Sequence, residues 1–225
     1  MDLFKFPRTP HLFVVPGLDI RDDKVLSDLE CESLLKNPII LEEKLDGANI
    51  GISLSENNEL QIQNRGNYIF PGSHPQFDRL WKWAYSKISR LTEHIGSDLI
   101  VFGEWCYAKH SIHYTSLPDW LVGFDIYDKR SKTFLNTELR NQIFNKIGIE
   151  IISTLGKGIY SKMELVKLLN GSKSRFYDGP VEGIYVRYED QEKLIRRAKI
   201  VNKDFIQEID IHWSKKELMT NQLLK

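Results

Sequence analysis

Ile39-Ile40-Leu41-Glu42-Glu43-Lys44-Leu45-Asp46-Gly47-Ala48-Asn49-Ile50-Gly51-Ile52-Ser53-Leu54 is the stretch on which the reading of this chain turns. Two β-rich runs, 39–44 and 48–54, flank Asp46-Gly47, a dipeptide favoured in two-residue hairpin turns. The spacing predicts a hairpin with Lys44 at the end of its first strand. Glu56-Asn57-Asn58 marks a second turn before the alternating Leu60-Gln61-Ile62-Gln63-Asn64, so an antiparallel meander is expected. Taken alone, Lys44-Leu45-Asp46-Gly47 fits a surface turn with a solvated lysine better than it fits a nucleophile. A nucleophilic lysine must be unprotonated when it attacks. With an ordinary pKa of about 10.4, only about one in a thousand is neutral near pH 7.4. Neighbouring cations or desolvation would have to lower that value.

Downstream, residues 75–95 place Phe77, Leu80, Trp81, Ala84, Ile88, Leu91 and Ile95 at helical spacing, which predicts one long helix. Strands are expected at 98–105 and 120–127, helices at 137–147 and 161–170. A strand pair is expected at 181–188 and 193–201 about the Asp190-Gln191 turn. Hairpin-like strands interrupted by helices predict an α+β chain rather than a doubly wound parallel sheet. The domain expectation is a single unit over 1–225. It comprises an irregular leader (1–38, with a short helix near 24–36), a core (39–203) and a helical tail (204–225).

Composition narrows the class. The 225 residues hold 31 Lys plus Arg and 31 Asp plus Glu, so the formal net charge is zero and any basic groove must be local. Two cysteines, Cys31 and Cys106, are too few for a disulfide framework and suit a reducing cytoplasm. The start, Met1 to Phe13, lacks the apolar run of a signal peptide, and no stretch approaches the ~20 apolar residues of a membrane span. A soluble, cytoplasmic protein with no membrane partner is expected.

Four further clusters carry potential chemistry. Phe102-Gly103-Glu104-Trp105 and Gly123-Phe124-Asp125-Ile126-Tyr127 are apolar strands holding an acid. Glu182-Gly183-Ile184-Tyr185-Val186-Arg187 opens a strand with an acid and a glycine. Arg196-Arg197-Ala198-Lys199 is a basic strand end. Each has a bland counterpart: a buried strand with a terminal acid, or a solvated edge strand using charge against aggregation.

As an ordered set, with Asn64-Arg65-Gly66 after the meander, these clusters resemble the covalent nucleotidyltransferase superfamily of ATP-dependent ligases and capping enzymes. Within it the chain is most similar to RNA ligases of the phage RNA ligase 2 type. The run Glu43 to Asn49 and the stretch Gly103 to Ile112 carry that likeness. The leader Phe6 to Leu12 and the ending His212 to Lys216 also resemble a small bacterial and phage subgroup of RNA ligases. The resemblance implies an antiparallel α+β nucleotidyltransferase fold with a nucleotide cleft between sheets. It implies ATP and Mg²⁺ or Mn²⁺ as cofactors, and RNA ends, 5′-phosphate and 3′-hydroxyl, as partners.

The resemblance also implies residue roles. Lys44 would attack the α-phosphorus of ATP, and Phe124 would stack on adenine. Arg65 and Glu104 would hold the ribose region, with Glu43 and Asn49 also in the nucleotide site. Glu182, with Glu104, would bind the metal. Lys199, with Arg197 on the same strand face, would grip the α-phosphate. Arg197 departs from the lysine that relatives carry there, and arginine is not an interchangeable point charge. Only about 20 residues follow Phe205. A short form lacking an accessory domain is therefore expected, with a protein partner or self-association supplying nucleic-acid contacts.

The alternatives are a DNA ligase, a GTP-using capping enzyme, or a nucleotide- or RNA-binding module that has lost catalysis. Cys106, His110 and His113 hint at zinc but show no fourth ligand. Lys109 and His110 suit a phosphate- or nucleic-acid-facing role better than zinc, and plain loop polarity better still. Trp81 and Trp83 are expected in the core, and Lys215 and Lys216 on a solvated face. No Gly-rich loop precedes a Lys-Ser or Lys-Thr pair, so a P-loop is unsupported.

Overall fold

Asp46-Gly47 does not close a hairpin. In the computed structural model, which describes residues 3–15, 17, 23–205 and 218–224, β1 (Ile39–Lys44) and β2 (Ala48–Leu54) lie in different sheets. A type I′ turn needs positive φ at both central residues, and neither Asp46 nor Gly47 has it. The Asp46 carboxylate instead accepts hydrogen bonds from the Ser111 N–H (2.7 Å), the Ser111 hydroxyl (2.6 Å) and the Ile112 N–H (3.0 Å). A side chain captured by a distant loop cannot also shape a local turn, so the chain crosses from one sheet to the other. Gly47 is needed there because a Cβ would stand 2.7 Å from the Trp105 carbonyl oxygen.

The first sheet has the order β10-β9-β1-β8 and is antiparallel throughout, with β8 (Thr154–Gly158), β9 (Gly183–Glu189) and β10 (Leu194–Val201). The second runs β3-β2-β4-β5-β6, with β3 (Leu60–Gln63), β4 (Leu99–Trp105), β5 (Leu121–Asp128) and β6 (Thr133–Phe134). The short β7 (Glu150–Ile151) adds parallel to β5. The β2–β3 and β9–β10 hairpins form as expected; β6, β7 and β8 were too short or too polar to read from pattern.

Each sheet buries one face under helices. Alternate residues of β2 and β4 (Ile50, Ile52, Leu54, Val101, Trp105) pack with Leu80 and Ala84 of α2 (Pro75–Ser86) and Leu91 of α3 (Ile88–His94). Phe144 of α4 (Thr137–Ile147) joins them. In the other sheet, Ile184 and Val186 of β9 and Ala198 and Ile200 of β10 pack with Cys31 and Leu34 of α1 (Asp28–Leu35). Leu165 and Leu169 of α5 (Lys162–Gly171) complete that layer. Each such buried Ile, Leu, Val or Phe side chain contributes about 1.5–3 kcal/mol. The single helix expected over 75–95 is two. It breaks at Lys87 (φ −108°, ψ 4°), whose ammonium donates to the Gly148 carbonyl at the end of α4.

α1 and α5 start at Ser27 and Ser161, each closing a reciprocal capping box with a glutamate three residues on. The leader does more than precede the core. His11 bridges Lys199 of β10 on one side and Val25 on the other. The expected helical tail is not seen in the part that is described. Lys203–Phe205 is a 3₁₀ turn, and residues 218–224 are non-helical, with Thr220 bridging Ala108 and Leu223 bridging Leu117. Residues 206–217, Lys215 and Lys216 among them, lie outside the described residues.

Candidate active site

The second faces of the two sheets meet around a cleft; the first sheet brings charged side chains, and the second adds Ile100, Phe102 and Phe124 beside its polar groups. Strand alternation sends Ile184, Val186, Ala198 and Ile200 to the helix side. It therefore sends Tyr185, Arg187, Arg197 and Lys199 inward. From the other sheet come Asn49 of β2, Glu104 of β4 and Phe124 of β5. The cleft is lined by Glu43, Lys44, Asn49, Arg65, Glu104, Phe124 and Lys199 of the residues singled out in the sequence. Glu182 reaches it through Lys44. Arg197 is not part of the lining.

Lys44 ends β1 where the chain leaves one sheet for the other. Its Nζ donates to both Glu182 oxygens, at 2.7 and 2.8 Å. Burial disfavours the ammonium, but the charges of Glu182, Glu104 and Asp46 outweigh it and hold the Lys44 pKa above the ordinary lysine value. The expectation that neighbouring cations lower this pKa is therefore corrected: the nearest charged groups are acids. Burial pushes Glu104 up to about 8, with Glu182 and Asp46 adding to the shift and Lys44 opposing it. Burial likewise pushes Glu182 up to about 7, against the pull of Lys44. Glu104 also accepts the Gly47 N–H at 3.0 Å. Glu43 accepts from the Ser174 hydroxyl (2.5 Å) and the Arg175 N–H (3.3 Å). Burial raises its pKa.

Arg197 is held elsewhere. Its guanidinium pairs with buried Asp125 at 2.6 Å and lies 3.8 Å from the Phe134 ring centroid. Arg187 takes the other Asp125 oxygen at 2.6 Å. Burial alone would raise the Asp125 pKa; the two guanidinium groups outweigh it and hold the carboxyl below its ordinary value. Arg140 of α4 completes the network, bonding both oxygens of Glu42 and the Phe124 carbonyl. These buried ion pairs tie β1, β5, β9, β10 and α4 together around the Phe124 carbonyl.

Several cleft residues were not foreseen. Phe6, Pro7, Arg8, Thr9 and Asp23 of the leader line it, as do Ile152 and Tyr185. Thr9 and Tyr185 share a hydrogen bond at 2.6 Å, and the Phe6 ring meets Phe124 edge-on at 5.6 Å. Nothing local in a Pro-interrupted leader signals these contacts; the alternation of Tyr185 with Ile184 and Val186 did hint at its inward side. Cys106 is buried with its thiol toward the Glu104 carbonyl. The 111–112 backbone of the neighbouring loop serves Asp46.

Among the described residues no three His, Cys, Asp or Glu side chains converge as a ready metal cage. The donor set still fits a hard divalent cation. Glu104 and Glu182 repel one another, and the Asn49 side-chain oxygen is buried in the cleft without a hydrogen-bond partner. Mg²⁺ and Mn²⁺ take few protein oxygens and fill the rest with phosphate and water. No helix among the described residues is long and apolar enough to cross a membrane.

Solved structures share this architecture. A variant of an RNA ligase from Naegleria gruberi, solved with ATP and Mn, aligns with a TM-score of 0.61 at 15% identity, covering 88% of this chain and 62% of that one. An archaeal ATP-dependent RNA ligase gives 0.58 at 17% identity, covering 87% and 48%. A chain from Aquifex aeolicus, provisionally named an ATP-dependent DNA ligase, gives 0.55 at 19% identity, covering 89% and 50%. At such identities the likeness is one of fold, and this chain spans between about half and two thirds of their lengths. No curated protein matches it. The family model for RNA ligases matches residues 37–201, from the start of β1 to the end of β10 and thus well over half of the sequence, and the chain belongs to the RNA ligase family.

Proposed function

We propose that this chain is an ATP-dependent RNA ligase that carries AMP on Lys44. The observation that supports it most directly is the position of the Lys44 amine, half-buried between two sheets and hydrogen-bonded to Glu182 beside Glu104. The lysine nitrogen forms a bond to the α-phosphorus of ATP, the bond to the β-phosphate oxygen breaks, and pyrophosphate leaves. The proton that Lys44 must lose is already hydrogen-bonded to Glu182, the group in reach to take it. AMP then passes to an RNA 5′-phosphate, and a 3′-hydroxyl displaces it to join the ends.

Phe124 presents a ring for adenine. Arg65 and Glu104 face the ribose, with Glu43 and Asn49 beside them, and Lys199 neutralises the α-phosphate. Glu182, Glu104 and the Asn49 oxygen would hold a Mg²⁺ or Mn²⁺ ion, which when bound supplies charge neutralisation of the phosphates. Arg197, spent on Asp125, supports the Phe124 strand rather than the phosphate. The RNA ends, and any protein partner or self-association that extends the RNA surface, belong to this reading, as does a cytoplasmic location and the single-domain organisation.

Intact mass before and after ATP with Mg²⁺ tests the proposal. Wild-type protein gains one AMP and Lys44→Ala gains none; an adduct persisting on Lys44→Ala protein would overturn the assignment. GTP in place of ATP tests a capping chemistry. Nicked all-DNA and RNA-containing ends offered side by side separate RNA from DNA sealing. Sealing confined to all-DNA ends would overturn the RNA reading while leaving Lys44 as nucleophile.

A further inference from the structure

Lys199 does not stand free in the cleft. Its Nζ lies 2.5 Å from a carboxylate oxygen of Asp23, and the same oxygen is 3.3 Å from His11 Nε2. Asp23 and Lys199 both line the cleft. A backbone ladder enforces their meeting. The Lys199 N–H donates to the Pro10 carbonyl (2.9 Å), and the Lys199 carbonyl accepts from the Leu12 N–H (2.8 Å). On the other side, the His11 N–H donates to the Lys24 carbonyl (2.7 Å), and the His11 carbonyl accepts from the Leu26 N–H (2.9 Å). Residues 10–12 thus lie between β10 and residues 24–26 and bring an acid beside a cleft ammonium. The two partners differ in exposure: the Asp23 side chain is 41% exposed and that of Lys199 16%. Rotation about the Asp23 side-chain bonds takes its carboxylate into water without touching the ladder, while the ammonium stays in the cleft.

We infer that Asp23 is an internal stand-in for a nucleotide phosphate, its carboxylate pairing with Lys199 and giving way to phosphate oxygens when a nucleotide enters. The inference rests on the ligase reading for the identity of the anion. Carboxylate and phosphate oxygens accept the same charge-assisted hydrogen bonds, so Lys199 stays paired in both states. Lys44 is treated the same way by Glu182, so each of the two cleft lysines meets an entering nucleotide already bound to an acid. The exchange discriminates. A polyphosphate carries more charge than the carboxylate it displaces, whereas an anion of low charge gains little by the swap. Asp23 is therefore a residue that sets nucleotide affinity through Lys199 and makes no contact with the reacting atoms.

The test uses wild type, Asp23→Asn and Asp23→Ser, each also combined with Lys199→Gln, with melting curves to establish folding. Calorimetric titration with inorganic pyrophosphate and with ATP reads binding; intact mass against ATP concentration reads adenylylation. Both Asp23 variants should bind pyrophosphate and ATP about two- to fivefold more tightly, the range of a partly exposed ion pair. KM for ATP should fall with kcat held, and the gain should vanish in the Lys199→Gln background. Unchanged or weaker binding in both variants, a fall in kcat, or an equal gain in the Lys199→Gln background would overturn the inference. Wild-type protein that binds pyrophosphate but takes up no AMP would overturn the ligase reading, and the pyrophosphate arm would still decide the role of Asp23.

Discussion

Glu104 and Glu182 are carboxylates pushed up to about 8 and about 7 because burial and a shared site disfavour their charges. For Glu104 the consequence for stability has a definite sign. Between the ordinary carboxylate pKa and about 8, the native state keeps a proton that the unfolded chain has lost, so stability falls as pH rises through that window. Glu104→Gln keeps an oxygen for the Gly47 N–H and removes the charge. In metal-free protein it should stabilise the fold by about 1–3 kcal/mol at pH 9. That gain should shrink as pH falls and vanish near pH 4.5. Urea titrations at pH 5, 7 and 9 read it; a gain independent of pH would show that ionisation of Glu104 is not its source. The same variant should lose adenylylation, the cost expected where a strained acid serves chemistry.

At the scale of elements, α4 acts as a brace. Arg140, fully buried, bonds both oxygens of Glu42 on β1 and the Phe124 carbonyl on β5. Arg140→Met fills similar volume but leaves Glu42 without its bidentate partner; the nearest remaining cation is Arg187, at 3.8 Å. Breaking one side of a buried pair costs about 3–5 kcal/mol. The melting temperature should fall accordingly, and KM for ATP should rise because the strand behind Phe124 loses its support. A stability loss below 1 kcal/mol would show that the network is dispensable. Arg197 reads differently at this scale than in the sequence. A basic strand end looks like a solvated edge, yet β10 turns Arg197 toward a buried acid on the facing sheet.

Across the whole molecule, the proposed nucleotide site is assembled from two sheets and a leader. Lys44 and Lys199 come from one sheet, with Glu182 directly before its strand β9; Asn49, Glu104 and Phe124 come from the other, and Thr9 from the leader. A ligand touching all three favours the folded state over any partly opened one. Nucleotide at ~100 times its Kd should stabilise the protein by about 2.7 kcal/mol. AMP, which leaves no adduct on Lys44, is the cleaner probe by differential scanning calorimetry. An unchanged melting temperature at saturating AMP would show that the cleft does not close on the nucleotide.

The sequence by itself determined the parts whose signals are local. Capping residues Ser27 and Ser161 start α1 and α5 where helices were expected. The 137–147 periodicity matches α4, and the strands carrying Glu104, Phe124 and Lys199 were placed by their β-rich runs. The order of the charged clusters was enough to point to the family. Only the tertiary structure decided which sheet each strand joins. Asp46-Gly47 reads as a hairpin because the dipeptide favours one, and it fails to be one because Ser111 and Ile112, some 65 residues away, bind the Asp46 carboxylate. It likewise decided that Arg197 serves Asp125 and that Asp23 meets Lys199, 176 residues apart in sequence. Local propensity is set by a few neighbouring residues, whereas the partner of a charge is set by what the folded chain brings within hydrogen-bond reach.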